Sequence, residues 1–288
     1  MGEPMGTSLM RAGYALCVSA HRSRDRVARL VAAGAREVAD PASVGAQSDA
    51  VIIMVPDAPE VEDALFGARG VANGLAAGRH VIDMSTISPV ASRAFYARLA
   101  ERNIAMIDAP VSGGPARAAT GELTIMAGGD RAAFEACEPV LRALGSPTHV
   151  GGPGMGETVK LVNQIIIASV MVANVEGLMF AKKSGANIDA VRAILATATA
   201  SNYLLDKWLP QTLFAGKRSG GFALDLLRKD LNAALDAARQ QGLALPASGL
   251  VYQLFTAASG AGHGREDYSA VSAVYEELAG MRIVDGAR

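Results

Sequence analysis

The strongest constraint on the fold is a series of short apolar runs that alternate with helical patterns through the first half of the chain. The clearest run, AVIIMV at residues 50–55, is apolar at every position. A run of this length without polar residues is typical of a strand buried on both faces of a parallel sheet. Similar runs predict further strands at residues 15–18, 80–84, 105–107, 123–127 and 148–150.

Helical patterns lie between these runs. Helices are predicted at residues 25–33, 60–65, 89–101 and 131–144, and a short helix is predicted from Glu3 to the residue before Gly13. Strands that alternate with helices at this spacing form βαβ units. The first half of the chain is therefore expected to be an α/β domain with a doubly wound parallel sheet.

The pattern changes at a glycine-rich turn, residues 151–156. A long apolar helix at residues 161–180 follows it, and the remaining patterns are helical, at residues 189–196, 202–213, 224–241, 246–258 and 267–279. No convincing strand is predicted after the turn. We therefore expect two domains, an α/β domain at residues 1–153 and an all-α domain at residues 154–288, joined by the long helix.

The long helix is about the length of a membrane span. It carries Asn163, Gln164, Asn174 and Glu176, which are costly to place in lipid. A helix that is apolar almost all round is more simply explained as a buried central helix. We therefore expect no membrane insertion.

Composition excludes several other classes of protein. The net charge is −1 and no basic run is present, which argues against a nucleic-acid or anionic-membrane surface. The two cysteines, Cys17 and Cys137, form neither a disulfide framework nor a metal-ligand spacing. Without a signal-peptide pattern at the start, a cytoplasmic enzyme without a metal is expected.

One candidate site follows a predicted strand, in the segment Asp108 to Gly121. Ser112, Gly113 and Gly114 offer a hydroxyl and backbone N–H groups that no side chain obstructs, and such a cluster can hold a carboxylate. The segment lies at the carboxyl edge of the predicted sheet, where ligands bind in α/β folds. A plain glycine turn remains the alternative.

A second candidate lies at the start of the long helix. Lys160, Asn163 and Gln164 are three and four residues apart, so they project from one helix face. Burial and the positive end of the helix would both lower the pKa of the lysine, which suits a general acid/base. The alternative is a surface lysine. Lys229 and Asp230 are adjacent on another predicted helix, and a Lys-Asp pair of this kind is typical of a solvated helix face.

Taken together, these motifs resemble the β-hydroxyacid dehydrogenase family along essentially the whole chain. The resemblance implies a Rossmann-type sheet followed by an all-α domain. It implies that Lys160 and Asn163 are catalytic, and that the residues that bind substrate are Ser112, Gly113, Gly114, Gln164 and Asp230. It also implies that Val55, Pro56, Thr86 and Lys229 border the cofactor.

The resemblance also bears on the cofactor. Arg22 and Ser23 follow a predicted strand where members that prefer NADP carry similar residues, so NADP is expected, with NAD as the alternative. Met1 and Gly2 match the end of the family's phosphate-binding loop, whereas the first strand and two glycines have no counterpart. Our hypothesis is that the native protein begins upstream of Met1.

The expected function is reversible hydride transfer between NADP(H) or NAD(H) and a small β-hydroxy acid or its semialdehyde, of the 3-hydroxyisobutyrate or tartronate semialdehyde type. Lys160 would be the general acid/base. A non-catalytic cofactor-binding or scaffolding relative, and a reductase of another carbonyl or imine, remain alternatives. The small hydroxy acid is the expected partner, and the chain is expected to form a homodimer or homotetramer.

Overall fold

The computed structural model describes residues 1–21, 24–216, 218 and 221–284. The chain divides into two compact units, Met1–Lys160 and Leu161–Arg288. The division falls a few residues after the domain boundary that the sequence suggested, because the beginning of the long helix packs within the first unit.

The described residues of the first unit form eight strands. Their bounds are β1 Cys17–Ser19, β2 Arg36–Val38, β3 Ala50–Ile53, β4 His80–Asp83, β5 Ala105–Asp108, β6 Val111–Ser112, β7 Leu123–Gly128 and β8 Gly145–Gly151. Each of the six predicted strands overlaps one of them. The two short strands β2 and β6 were not predicted, because two or three residues are too few for an apolar pattern to stand out.

The strands form two sheets. In one, β1 pairs with β2 in parallel, and in the other the order is β3-β4-β5-β7-β6, with β8 beside β7. Pairing is parallel among β3, β4 and β5 and between β7 and β8, whereas β7 is antiparallel to β5 and β6. The expected α/β fold class is confirmed. The larger sheet also contains antiparallel strand pairs, which the sequence did not indicate.

In the described part of this unit, seven α-helices precede the long helix and accompany these strands. Their bounds are α1 Gly2–Arg11, α2 Arg24–Ala32, α3 Pro41–Ala46, α4 Ala58–Phe66, α5 Pro89–Ala100, α6 Gly114–Thr120 and α7 Arg131–Arg142. Side chains of Asp40, Asp57 and Ser88 accept backbone N–H bonds at the starts of α3, α4 and α5. Such N-cap bonds satisfy donors that the helix itself leaves free, and here they fix where each helix leaves the sheet.

The long helix α8 spans Met155–Lys183 and begins directly on the sheet of the first unit. A Cβ placed on Gly156 would lie 2.3 Å from the carbonyl oxygen of Met126 and 2.5 Å from that of Asp108. A side chain at this position therefore has no room. The glycine permits the helix to start against the carboxyl ends of β5 and β7.

The second unit is helical where the structure describes it. After α8 come α9 Ile188–Leu195, α10 Leu224–Gln240, α11 Pro246–Ala258 and α12 Ser272–Ala279. The helix predicted at residues 202–213 is shorter and less regular than expected. The segment is a π-helix over Leu204–Trp208 followed by a 3-10 helix over Leu209–Gln211, and Pro210 prevents a regular α-helix there because it has no N–H to donate.

The core of the second unit gathers around one face of α8. Met171, Val175 and Leu178 from this helix are almost completely buried in a cluster with Phe255 and Tyr268. By length and composition alone α8 could cross a membrane, and 39% of its most apolar window is buried. The packed face gives the helix an apolar environment inside the unit.

We predict that Gly156→Ala lowers the free energy of unfolding by about 3 kcal/mol, because the new methyl group would overlap two backbone carbonyls that cannot move independently. Gly177→Ala in the same helix is the matched control. A Cβ at Gly177 would meet open space, so this change is expected to stabilise by about 0.5–1 kcal/mol. Chemical denaturation measures the free energy of unfolding of both variants. Equal changes in the two variants would contradict the close packing of the start of α8 against the sheet.

Candidate active site

The carboxyl ends of β3, β4 and β5 form one edge of the larger sheet, because these strands are parallel. The Val55 N–H after β3 donates to Ser85 Oγ at 3.1 Å, and the Ser85 N–H donates to Asp83 Oδ1 at 3.0 Å. These bonds tie together the loops that carry Val55 with Pro56 and Ser85 with Thr86. The sequence-predicted cofactor residues of these loops are therefore neighbours along one edge.

Ser112, Gly113 and Gly114 are half-buried and lie where β6 passes into α6. The φ angles are +133° at Gly113 and +69° at Gly114, a region that favours glycine. A Cβ on Gly113 would also lie 2.9 Å from Arg117 Cβ. The segment was expected to be a loop and instead opens a short helix, because two consecutive glycines allow the sharp change of direction.

The carboxylate of Asp108 holds the start of α8 against this edge. Its Oδ1 accepts the Gly154 N–H and its Oδ2 accepts the Glu157 N–H, each at 2.9 Å. Burial raises the pKa of this carboxyl, and the bonds from the two N–H groups oppose that rise. Because the first N–H groups of a helix have no partner within the helix, this carboxylate satisfies donors that would otherwise be left unbonded.

Glu157 makes a second connection from the first turn of α8. Its side chain is fully buried, and Oε2 accepts the Ile87 N–H at 3.1 Å. Ile87 belongs to the loop after β4, so α8 is bonded both to the end of β5 and to the loop that follows the neighbouring strand β4. The beginning of the helix is thereby fixed in both position and direction.

Lys160 follows Glu157 by three residues on the same helix and is 8% exposed. The alternative of a solvated surface lysine is therefore wrong. A lysine at this depth is costly to keep charged unless polar groups surround it, and such an environment is where proton-transfer lysines are found. Its position follows directly from the bonds that Asp108 and Glu157 make.

In the second unit, four polar residues contact one another in series and form a polar network. Asn163 Nδ2 donates to Gln164 Oε1 at 2.9 Å, and Gln164 Nε2 donates to Asp230 Oδ2 at 2.6 Å. Asp230 Oδ1 in turn lies 2.7 Å from Lys229 Nζ. The pair Lys229 and Asp230 is not a solvated face, because Asp230 is 2% exposed. These contacts of the polar network fix the rotamers of the Asn163 and Lys229 side chains.

The remaining predicted cofactor residues lie at the amino terminus. Gly2 opens α1, and a Cβ at this position would meet nothing within 4 Å, so a ligand could approach the backbone there. Pro4 has no N–H, and the Met5 N–H already donates to the Met1 carbonyl oxygen. The N–H groups of Gly2 and Glu3 are left for an anion. Arg22 and Ser23 lie outside the described residues.

These residues fit part of a dinucleotide. The joined loops after β3 and β4 form a continuous edge, and α1 presents two N–H groups at its positive end, which suits one phosphate.

Sequence reasoning missed the roles of Asp108 and Glu157 in seating α8. A signal was present for Glu157, since an acid in the first turn of an otherwise apolar helix complements the positive helix end. No local pattern marked the carboxylate of Asp108, whose partners lie 46 and 49 residues away.

Comparisons with known proteins agree with this geometry. Residues 1–152 match the model described as the NAD binding domain of 6-phosphogluconate dehydrogenase. Residues 154–275 match the model described as NAD-binding of NADP-dependent 3-hydroxyisobutyrate dehydrogenase. The chain belongs to the β-hydroxyacid dehydrogenase family. The sequence-based assignment is confirmed, and this member is an NAD(P)-dependent oxidoreductase of small hydroxy acids.

Several relatives of this dehydrogenase are similar over nearly their whole length. The chain is 38% identical over 285 residues to 2-hydroxy-3-oxopropionate reductase from Escherichia coli, with 98% of this chain and 96% of the relative covered. It is 34% identical over 287 residues to 2-(hydroxymethyl)glutarate dehydrogenase from Eubacterium barkeri, covering 99% and 95%. The structure of 3-hydroxyisobutyrate dehydrogenase from Salmonella typhimurium matches with a TM-score of 0.84 at 33% identity, covering 95% of each chain.

The polar network of the second unit leads to a testable prediction. Asp230→Asn should lower the free energy of unfolding by about 1–3 kcal/mol, because it removes the carboxylate oxygen beside Lys229 from a buried network. Asp236→Asn in the same helix is the control. Asp236 pairs with Arg239 at an exposed position, so this change should cost about 0–1 kcal/mol. Denaturant titration of both variants tests the difference, and equal losses would contradict a buried network.

Proposed function

We propose that this dehydrogenase interconverts a small β-hydroxy acid and its semialdehyde, of the 3-hydroxyisobutyrate or tartronate semialdehyde type, with Lys160 transferring the proton. The observation that carries the proposal is the burial of Lys160 on a helix whose start is bonded to the ligand-binding edge of the sheet. The names of the similar relatives, reductases and dehydrogenases of small hydroxy acids, support the substrate class.

The substrate carboxylate is proposed to bind at Ser112, Gly113 and Gly114. These residues present a hydroxyl and backbone N–H groups, and none of the three carries a carboxylate that would repel an acid. Backbone donors in a glycine-rich turn form concave anion sites. Binding the carboxylate there orients the other end of a three- or four-carbon acid.

The cofactor, when bound, supplies or accepts the hydride. Lys160 Nζ donates a proton to the oxygen as the carbonyl is reduced and takes it back in the reverse direction, and its positive charge stabilises the forming alkoxide. Asn163 lies three residues further along α8 on the same face and orients Lys160 or the substrate hydroxyl. Gln164 and Asp230 support this arrangement through the hydrogen bonds that hold Asn163 and Lys229.

NADP is the proposed cofactor. Arg22 follows β1, where an arginine can meet a 2′-phosphate and where NAD-specific dinucleotide folds place an acid for the ribose hydroxyl. The description of the family model that matches residues 154–275 names an NADP-dependent enzyme, which agrees with this preference.

We also propose a cytoplasmic homodimer or homotetramer. Three apolar side chains of α8, Val162, Ile166 and Phe180, are 50%, 54% and 76% exposed, which favours contact with a further subunit. The cysteines Cys17 and Cys137 are free thiols, as is usual in a reducing compartment.

We predict that Lys160→Ala lowers turnover by roughly two to four orders of magnitude, because the proton must then come from water, and leaves cofactor affinity near normal. Lys183→Ala, at the exposed far end of the same helix, is the control and should retain full turnover. The assay follows oxidation of NADPH and of NADH with a panel of semialdehydes and small carbonyl compounds.

An active Lys160→Ala enzyme would remove the proposed mechanism. A protein that binds NADPH but reduces no member of the panel would instead favour a non-catalytic, scaffolding role. Faster oxidation of NADH than of NADPH at equal concentration would contradict the cofactor preference.

A further inference from the structure

Ser8 is a polar residue on the buried face of α1. It is 1% exposed and lies between Met5 and Leu9 on that face, and both of these belong to a core cluster of the first unit. Burying a hydroxyl at this depth is costly unless it is hydrogen-bonded. A serine inside a helix often bonds to a carbonyl oxygen of its own helix, so the partner that Ser8 has instead indicates what it does.

The Ser8 hydroxyl bonds outside α1, to the end of α6. Its Oγ lies 2.8 Å from the Ala118 carbonyl oxygen and 3.2 Å from that of Ala119, to which it can donate. Arg11 Nη2 donates to the same Ala119 oxygen at 2.8 Å and to Ser8 Oγ at 3.1 Å. The last carbonyl groups of a helix have no partner within it, and a cation suits that end. Ser8 and Arg11 therefore cap α6 from outside.

The helix α6 depends on outside support, because it is short and has glycine at both ends. It has seven residues, the φ angles at its start are +133° at Gly113 and +69° at Gly114, and Gly121 at its end has a φ of +73°. All residues of α6 are described, and among them Ala118 alone is buried, so its side chains place one methyl group in the core. A helix of this length is marginal by itself, and its direction is set by the groups that it contacts.

The capped end of α6 is close to the proposed carboxylate site, Ser112, Gly113 and Gly114, which we call the substrate turn. Ala118 follows Gly114 by one helical turn, which is about 6 Å along the helix. A hydroxyl and backbone N–H groups of the substrate turn must all reach one carboxylate, and a misplacement of about 1 Å can cost roughly a hundredfold in rate. A change in the direction of α6 would therefore disturb the site.

We propose that Ser8 and Arg11 are positioning residues for the substrate, because their bonds to the end of α6 hold the substrate turn in the conformation that binds the carboxylate. The inference rests on the proposed function, which assigns the carboxylate to that turn. The helix α1 has its own anchor, since Glu3 accepts two bonds from Arg29 of α2, at 2.6 and 2.8 Å. Loss of the Ser8 hydroxyl should therefore release α6 and leave α1 in place.

The test compares Ser8→Ala with Thr7→Ala in the full chain. Thr7 carries the neighbouring hydroxyl of α1, is exposed, and its Oγ1 donates to the Glu3 carbonyl oxygen of the same helix at 3.1 Å. Arg11→Met removes the second donor at an exposed position, and Arg11→Lys keeps a cation and a donor. The Arg11 pair decides the question if Ser8→Ala does not fold.

Steady-state kinetics follow the oxidation of 3-hydroxyisobutyrate and of glycerate, with NADP+ and NAD+ both supplied. We expect Ser8→Ala and Arg11→Met to raise KM for the acid about three- to tenfold, the change in affinity that corresponds to the loss of one hydrogen bond. Binding of the carboxylate is shared by the ground state and the transition state, so kcat and KM for the cofactor should stay within about twofold. Thr7→Ala and Arg11→Lys should resemble the unaltered enzyme.

Amide hydrogen exchange without cofactor or substrate provides a measurement that does not depend on turnover. We expect exchange over α6 to become about threefold faster or more in Ser8→Ala, and exchange over β7 to stay unchanged. A change confined to α6 would report local loss of order, whereas a general loss of stability would accelerate exchange in both elements.

Three results would overturn the proposal. Unchanged exchange over α6 in Ser8→Ala would show that α1 does not hold this helix. Equal acceleration over α6 and β7, or a fall in kcat without a rise in KM, would show a general structural role. Faster exchange over α6 with an unchanged KM would show that α6 does not place the substrate.

Failure of the proposed function would give a different result. An unaltered protein that oxidises neither acid with either cofactor would refute the proposed reaction, together with the substrate that is assigned to the turn. Exchange over α6 would still show in that case whether Ser8 holds the helix.

Discussion

The position of Lys160, the candidate catalytic residue of the first unit, depends on one carboxylate. Asp108 ends β5 and accepts two backbone N–H groups from the start of α8, so the sheet and the long helix are joined at a single buried point. Gly156 allows the close approach, and Glu157 adds a bond to the next loop. Lys160 follows this junction on the same helix, and it is buried because the start of α8 packs against the sheet.

Most of the fold could be predicted because apolar runs report burial directly. The runs at β4 and β5 are apolar because nearly all of their residues are buried, whereas buried and half-buried residues alternate in β3. The helices between the strands keep a polar side. The segment around Pro210 is helical as its composition indicates, but the proline makes it a π-helix and a 3-10 helix rather than one regular α-helix. The antiparallel join of β7 to β5 follows from tertiary packing, which no local pattern encodes.

The candidate site was predictable in part for a related reason. Lys160 and Asn163 share a helix face, so their spacing alone places them together, and family resemblance gave them a role. The contacts of Asp108 with Gly154 and Glu157 join segments far apart in sequence and needed the structure. Burial of Asp230 was likewise hidden, because a Lys-Asp pair on a helix looks solvated until Gln164 is seen beside it.

We infer above all that the Asp108 junction positions Lys160. Steady-state kinetics of Asp108→Asn, in protein shown to be folded by circular dichroism, test it most directly. The oxygen of an asparagine side chain can accept one of the two N–H groups, but its NH2 group is a donor and cannot accept the other. The start of the helix should therefore shift. We expect turnover to fall at least about tenfold with little change in KM for the acid, since remote positioning acts on the transition state. Full turnover in the folded variant would contradict the claim.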